Sequence, residues 1–210
     1  MLMDQRKIIW IIVAFVAVLL GIFYFSSRSN VIVNYPSRGT DIIAFGDSLV
    51  DGVGSSAGNE GGFVTLLSRK IGRPIINLGN SGDTAADGLA RINQLNEYNP
   101  KVVLLLLGGN DYLKKIPSEE TFKNLSLLIQ NIEKRGAVIL LLGVRGGLLS
   151  DRFDSEFEKL RDTHQTAFVP NVLSGLLTNQ QYMSDAIHPN DLGYQKIADR
   201  IYSVLESLLK

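Results

Sequence analysis

Beyond Thr40 the chain alternates short apolar runs with longer stretches of helical spacing. DIIAFG (41–46), PIINLG (74–79), KVVLLLLG (101–108), AVILLLG (137–143) and TAFVP (166–170) read as five strands. The third is apolar throughout, as expected of a strand whose sheet is covered on both faces. Between the strands, GFVTLLSRKIG (62–72) sets Phe63, Leu66, Leu67 and Ile71 on one helical face. TAADGLARINQLNEY (84–98) predicts a helix capped by Thr84 or Asp83. Residues 118–136 predict another, with Ser118 as cap, acids first, bases last and Gly136 at the end. Residues 152–165 predict a helix, and Asn190 caps a closing helix over 191–209. This alternation predicts an α/β fold with a parallel five-stranded sheet and helices on both faces.

A different pattern fills the first thirty residues. Residues 8–25 (IIWIIVAFVAVLLGIFYF) are eighteen uncharged positions, interrupted only by Gly21. As a helix they span about 27 Å, close to the roughly 30 Å of a hydrocarbon core. Trp10 and Tyr24 stand near the two ends, Arg6 and Lys7 precede the run, and Arg28 follows. The run is longer than the roughly 7–15 apolar residues of a cleavable signal. It ends on bulky Phe23, Tyr24 and Phe25 rather than on small residues. The expectation is a signal anchor over 1–28, a single transmembrane helix with its N-terminus in the cytoplasm. Residues 29–39 then form a tether, and a single domain over 40–210 lies on the extracytoplasmic side of the cytoplasmic membrane. Secretion after cleavage, at a poor site near Ser27 and Ser29, is the alternative.

Composition narrows the function classes. Lys+Arg and Asp+Glu are both 21 among 210 residues, so no basic excess points to nucleic acid. Beyond Arg28, 18 basic and 20 acidic residues leave a balance of −2. The absence of cysteine excludes disulfides, thiolate catalysis and Cys-based metal sites, and two histidines argue against a His-rich one. No cofactor or metal is expected.

In a sheet of this kind chemistry collects on the loops after the strands' carboxyl ends. Those loops carry Gly46-Asp47-Ser48-Leu49, Gly79-Asn80-Ser81-Gly82-Asp83 and Gly108-Gly109-Asn110-Asp111, and Asp185-Ala186-Ile187-His188 precedes the last helix. A serine hydroxyl needs a base to become a nucleophile. His188 suits that task, and Asp185 can fix its tautomer. Acyl attack creates an oxyanion, and the N–H of Ser48, the N–H of Gly79 and the side chain of Asn110 are the expected donors. Asp47, Asp83 and Asp111 are expected to hold turns, and His164 to be a surface or helix-end residue.

These four blocks resemble the SGNH (GDSL) hydrolase superfamily, and are similar in particular to its bacterial acyl-CoA thioesterase/lysophospholipase/arylesterase group. The likeness runs from about Asp41 to the C-terminus through IIAFGDSLVDGVG, INLGNSGDTAADGLARI, VVLLLLGGNDYL and SDAIHPNDLGYQKIA. It implies a flavodoxin-like three-layer α/β/α fold and metal-independent ester or thioester hydrolysis. It assigns Ser48 as nucleophile, Asp185 and His188 as its partners, and Gly79 and Asn110 as oxyanion donors. Position 50 is Val where the family often carries Thr or Ser. VRGGLLSDRFDSEF (144–157) replaces a longer Pro-containing stretch that lines the acyl pocket in relatives.

The expected activity is a membrane-tethered serine esterase acting on lysophospholipids, aryl or short-chain esters, or thioesters. A carbohydrate O-acetylesterase or acyltransferase of the cell envelope, and an inactive binding module, are the alternatives. Two further motifs do not fit their usual contexts. Gly54-Ser55-Ser56-Ala57-Gly58 matches a G-x-S-x-G elbow, and Gly52-x-Gly54-x-x-Ala57 grazes a dinucleotide fingerprint. Neither sits between a strand and a helix. The loop over 52–62 is expected to flank the substrate entrance.

Overall fold

A computed structural model describes residues 31–144 and 152–210, with Trp10, Phe15 and Val16 of the N-terminal segment. Residues 1–31 and 32–210 form two separate units. Among the described residues no helix is long and apolar enough to cross a membrane. The expected span over 8–25 lies, apart from those three residues, outside the described ones.

The larger unit has five parallel strands: β1 (Asp41–Gly46), β2 (Ile75–Gly79), β3 (Pro100–Leu106), β4 (Val138–Leu142) and β5 (Ala167–Val169). Their order is β2-β1-β3-β4-β5. β3 is central, pairing with β1 through Leu104↔Ala44 and with β4 through Leu104↔Leu140. Val102 to Leu106 are fully buried, which explains the unbroken apolar run. β2 is an edge strand, and all five of its residues are only half-buried.

Seven helices accompany the strands among the described residues: α1 (Ser48–Asp51), α2 (Phe63–Ile71), α3 (Ala85–Ala90), α4 (Gly109–Leu113), α5 (Ser118–Glu133), α6 (Arg152–His164) and α7 (Asp191–Leu208). α2 packs on α7, while α3 and α6 pack on α5, giving the two helical layers of the expected three-layer α/β architecture. The amphipathic reading of α2 holds, with Leu66 and Ile71 only partly buried at its margin. Phe63, Val64 and Leu67 of α2 and Tyr194, Ile197, Ala198, Ile201 and Leu205 of α7 enter the core. Asn190 caps α7 by accepting from the Gly193 N–H.

Three expectations need correction. The helix over 84–98 is α3 followed by a 3₁₀ helix, Ile92–Glu97. Thr84 and Asp87 form a capping box at its start. Its end falls at Arg91, whose side chain is drawn back to Asp83 and to the Gly46 carbonyl. Ser118 is the first residue of α5, and Pro117 stands at the cap position with no side-chain cap bond. Finally, residues 32–37 are not a free tether. Asn34 Nδ2 donates to the Glu133 and Ala137 carbonyls, and Ser37 Oγ to that of Gly136. The polar residues that suggested a linker donate to carbonyls around the end of α5 and the turn that follows it.

Candidate active site

β1 ends at Gly46, and Asp47 turns the chain into the single-turn helix α1. Asp47 Oδ1 accepts the Leu49 N–H at 3.0 Å, so the carboxylate caps the helix on which Ser48 is the first residue. The Ser48 N–H therefore has no intrahelical acceptor. From the far end of the sequence, the turn before α7 brings His188 Nε2 to 3.1 Å from Ser48 Oγ. His188 Nδ1 lies 2.7 Å from Asp185 Oδ2. Asp185 Oδ1 accepts the Ile187 and His188 N–H groups, each at 2.8 Å. One carboxylate thus fixes both the backbone and the ring of His188.

The electrostatics of the two aspartates differ. Burial pushes the Asp185 carboxyl up, but hydrogen bonds from the His188 ring and from the Ile187 and His188 amides outweigh it and hold it at about 2. Asp185 is therefore ionised at neutral pH. Asp47 is raised to about 7, chiefly by burial, with the Asp83 and Asp111 charges adding to it against the Leu49 hydrogen bond. These three carboxylates are all buried beside the site. Arg91 Nε pairs with Asp83 at 2.5 Å, and Asp111 Oδ2 accepts the Ala85 N–H at 2.9 Å. The turn-holding roles expected for all three are seen.

Asn110 stands in the first turn of α4 and donates Nδ2 to the Asp83 carbonyl at 2.9 Å, which aims its amide along the pocket wall. Gly79 is a correction. Its N–H donates to Asn77 Oδ1 at 2.8 Å, so it is not available to an oxyanion. The residue is needed for close approach instead. A Cβ there would stand 2.3 Å from the Asp51 nitrogen, where α1 rests on β2. Gly82, three residues on, has φ +89 and an N–H with no partner among the described residues.

Ser48, Asn110 and His188 open onto a cavity of about 280 Å³. Its apolar walls are Leu49, Leu113, Val144, Leu173, Leu177 and Ile187. Leu173 and Leu177 belong to no motif, and no sequence signal marked them. They come from the connection after β5. Of the loop over 144–153 expected to shape the pocket, residues 145–151 lie outside the described ones. No residue of the loop over 52–62 is among the walls of this cavity, and Gly54 packs against the His188 turn. In the G-x-S-x-G match, Ser55 and Ser56 hydrogen-bond to Asp191, and neither touches a histidine. His164 is at a helix end as expected, but it is buried between α5 and α6, with Nε2 2.8 Å from Ser126 Oγ.

Comparisons with known proteins place the chain in a family. The GDSL-like Lipase/Acylhydrolase family matches residues 44–196. Esterase TesA of Pseudomonas aeruginosa is 29% identical over 191 residues, covering 85% of this chain and 94% of the relative. The Escherichia coli thioesterase 1/protease 1/lysophospholipase L1 is 30% identical over 177 residues, covering 80% and 84%. Among solved structures, that of TesA superposes with a TM-score of 0.74 at 28% identity, covering 80% of this chain and 99% of the other. The psychrotrophic esterase EstA from Pseudoalteromonas sp., inhibited by monoethylphosphonate, gives 0.72 at 25% identity, covering 80% and 98%. The chain belongs to the GDSL-like lipase/acylhydrolase family and is an SGNH-type esterase.

Proposed function

We propose that this esterase cleaves acyl esters, lysophospholipids among them, through an acyl-enzyme on Ser48. The observation that carries the reading is the Ser48–His188–Asp185 relay, 3.1 Å and 2.7 Å, at the mouth of an apolar cavity. His188 Nε2 takes the hydroxyl proton as Ser48 Oγ bonds to the acyl carbon. The imidazolium then gives that proton to the leaving alcohol or thiol. Asp185, ionised, stabilises the imidazolium and keeps Nδ1 protonated. Water, deprotonated by His188, releases the acid and restores the serine.

The developing oxyanion is held by the Ser48 N–H and the free amide proton of Asn110. Gly82 is the glycine of the second loop whose N–H is left to join them. Gly79 is not.

An apolar cavity of this size supports an acyl chain over an acetyl group, which would leave most of its wall unused. The relatives' names speak for esters and thioesters alike. Residues 8–25 are a long enough uncharged run to hold the enzyme at a membrane, where lysolipids are found.

The test is turnover of p-nitrophenyl esters from acetyl to palmitoyl beside a lysophospholipid, with Ser48→Ala as control. Loss of roughly 10⁴-fold or more in kcat for Ser48→Ala supports the mechanism. Turnover within a few-fold of wild type defeats it. A preference for acetyl esters defeats the acyl-chain reading.

A further inference from the structure

His188 is held on one side by Asp185, in its own turn. The His188 Cβ lies close to the backbone of Gly54. A Cβ at Gly54 would stand 2.9 Å from His188 Cβ, 2.5 Å from the Pro189 carbonyl oxygen and 3.2 Å from Ser184 Cβ. Gly54 also has φ +94, a conformation that other residues rarely adopt. The segment around Gly54 is therefore the back wall of the histidine turn.

That wall is fastened at both ends to the start of α7. The Tyr194 hydroxyl donates to the Val53 carbonyl at 2.6 Å. The Asp191 carboxylate takes the Ser55 hydroxyl at 2.8 Å, the Ser56 N–H at 2.9 Å and the Ser56 hydroxyl at 2.5 Å. Those hydrogen bonds, the Ser56 hydroxyl first, hold the Asp191 carboxyl below the usual range. Backbone bonds within the loop, from the Ser55 N–H to the Gly52 carbonyl and from the Gly58 N–H to the Ser55 carbonyl, shape the segment, while the bonds to Asp191 and Tyr194 fasten it to α7. Val53 to Ser56 span only four residues, gripped on either side of Gly54. Asp191 and Tyr194 themselves lie three and six residues beyond His188.

We propose that Asp191 is a positioning residue for the esterase reaction: by clamping Ser55 and Ser56 it seats Gly54 against His188 and sets the histidine's approach to Ser48. It touches no reacting atom. The inference rests on the Ser48–His188 reading of the site. It also gives a role to the G-x-S-x-G segment, whose serines are hydrogen-bond donors to α7 and not nucleophiles.

A misplaced base slows the chemical step and leaves ground-state binding intact. Asp191→Ala is expected to lower kcat about tenfold, with KM within about twofold of wild type. Asp191→Asn keeps an acceptor oxygen and is expected to recover most of the loss. Ser55→Ala/Ser56→Ala is expected to reproduce the defect. The triple variant is expected to be no worse than Asp191→Ala alone, because both changes break one linkage. Labelling by a fluorophosphonate should slow in parallel, as it reads serine activation without leaving-group binding.

Three results overturn the inference: a lowered melting temperature with unchanged kcat and labelling, a defect confined to KM, or additive losses in the triple variant. Ser48→Ala run alongside separates failure here from failure of the site reading. If that control stays active, the fault lies with the nucleophile and not with the clamp. Gly54→Ala keeps every side chain of the clamp but forces the wall and the His188 turn apart, and it too should lower kcat more than it changes KM.

Discussion

Arg91 Nη2 donates to the Gly46 carbonyl at 2.8 Å, two residues before Ser48. The same guanidinium pairs through Nε with Asp83 at 2.5 Å and lies 4.1 Å over the ring of Phe45. One side chain thus joins the end of β1 to the loop after β2, the two loops that face each other across the site. The Arg91 and Asp83 side chains are only 16% and 6% exposed. Removing Arg91 leaves a buried carboxylate without its cation. Arg91→Ala is expected to cost about 3–5 kcal/mol of unfolding free energy. Arg91→Lys keeps the charge but not the three-way fork, so it should recover less than half. Urea titration checks both, and a loss below about 1 kcal/mol for the alanine variant would refute the role.

Asp47 makes stability fall with pH in a window set by its burial. Its folded carboxyl titrates at about 7, against 3.8 when unperturbed. Between about 4 and 7 the native state keeps a proton that the unfolded chain has released, so raising pH through this range destabilises the fold. Asp111, also raised by burial, acts in the same direction. Asp185 acts oppositely and elsewhere, because its folded carboxyl titrates at about 2. Its contribution is complete above about 4 and is lost as pH falls towards 2. Asp47→Asn should flatten the decline between pH 4 and 7 and leave the acid limb unchanged. Melting temperatures from pH 2 to 8 show this directly. A decline as steep as wild type in Asp47→Asn would contradict it.

The sheet was legible because β1, β3 and β4 are buried on both faces, and burial leaves an unbroken apolar signature. The relay was legible for another reason. Each of its parts lies on a loop at the same sheet edge, and each needs a particular side chain. Two of the misreadings trace to bonds that only the fold reveals. Gly79 and Gly82 stand in one turn, and only the fold shows that Asn77 consumes the N–H of the first. The polar segment over 32–37 reads like a linker, since the α5 carbonyls that bind it are distant in sequence. Leu173 and Leu177 were invisible because a pocket wall requires only apolar volume, which many positions supply.

Gly79 and Asn110 give a sharp contrast between rate and stability. Asn110→Ala removes the side chain proposed as an oxyanion donor and is expected to lower kcat on the order of 10²–10³-fold, with KM little changed. Gly79→Ala sets a methyl 2.3 Å from the Asp51 nitrogen and must push α1 off β2. Its main effect should be lost stability, with Ser48 displaced as a consequence. Steady-state kinetics and thermal melts on both variants separate the cases. A stable Gly79→Ala protein whose kcat alone collapses would return Gly79 to the oxyanion hole.

A second serine and histidine lie within hydrogen-bond distance of each other, and the structure gives a reason why they differ from the first. Ser126 Oγ is 2.8 Å from His164 Nε2, and His164 Nδ1 is 3.7 Å from Glu133 Oε1. In outline this repeats the arrangement of Ser48, His188 and Asp185. Ser126, however, lies in the middle of α5, where its own N–H is committed to the helix. His164 is buried, so no substrate reaches its far side. No oxyanion formed at Ser126 would find a free backbone donor, and without one most of the acceleration is lost. A fluorophosphonate probe should therefore label one serine per chain. Ser48→Ala should abolish labelling, while Ser126→Ala should leave both labelling and ester turnover within about twofold of wild type. Peptide mapping of the labelled protein decides the matter. Residual label in Ser48→Ala that disappears on adding Ser126→Ala would show that the α5 serine is reactive after all.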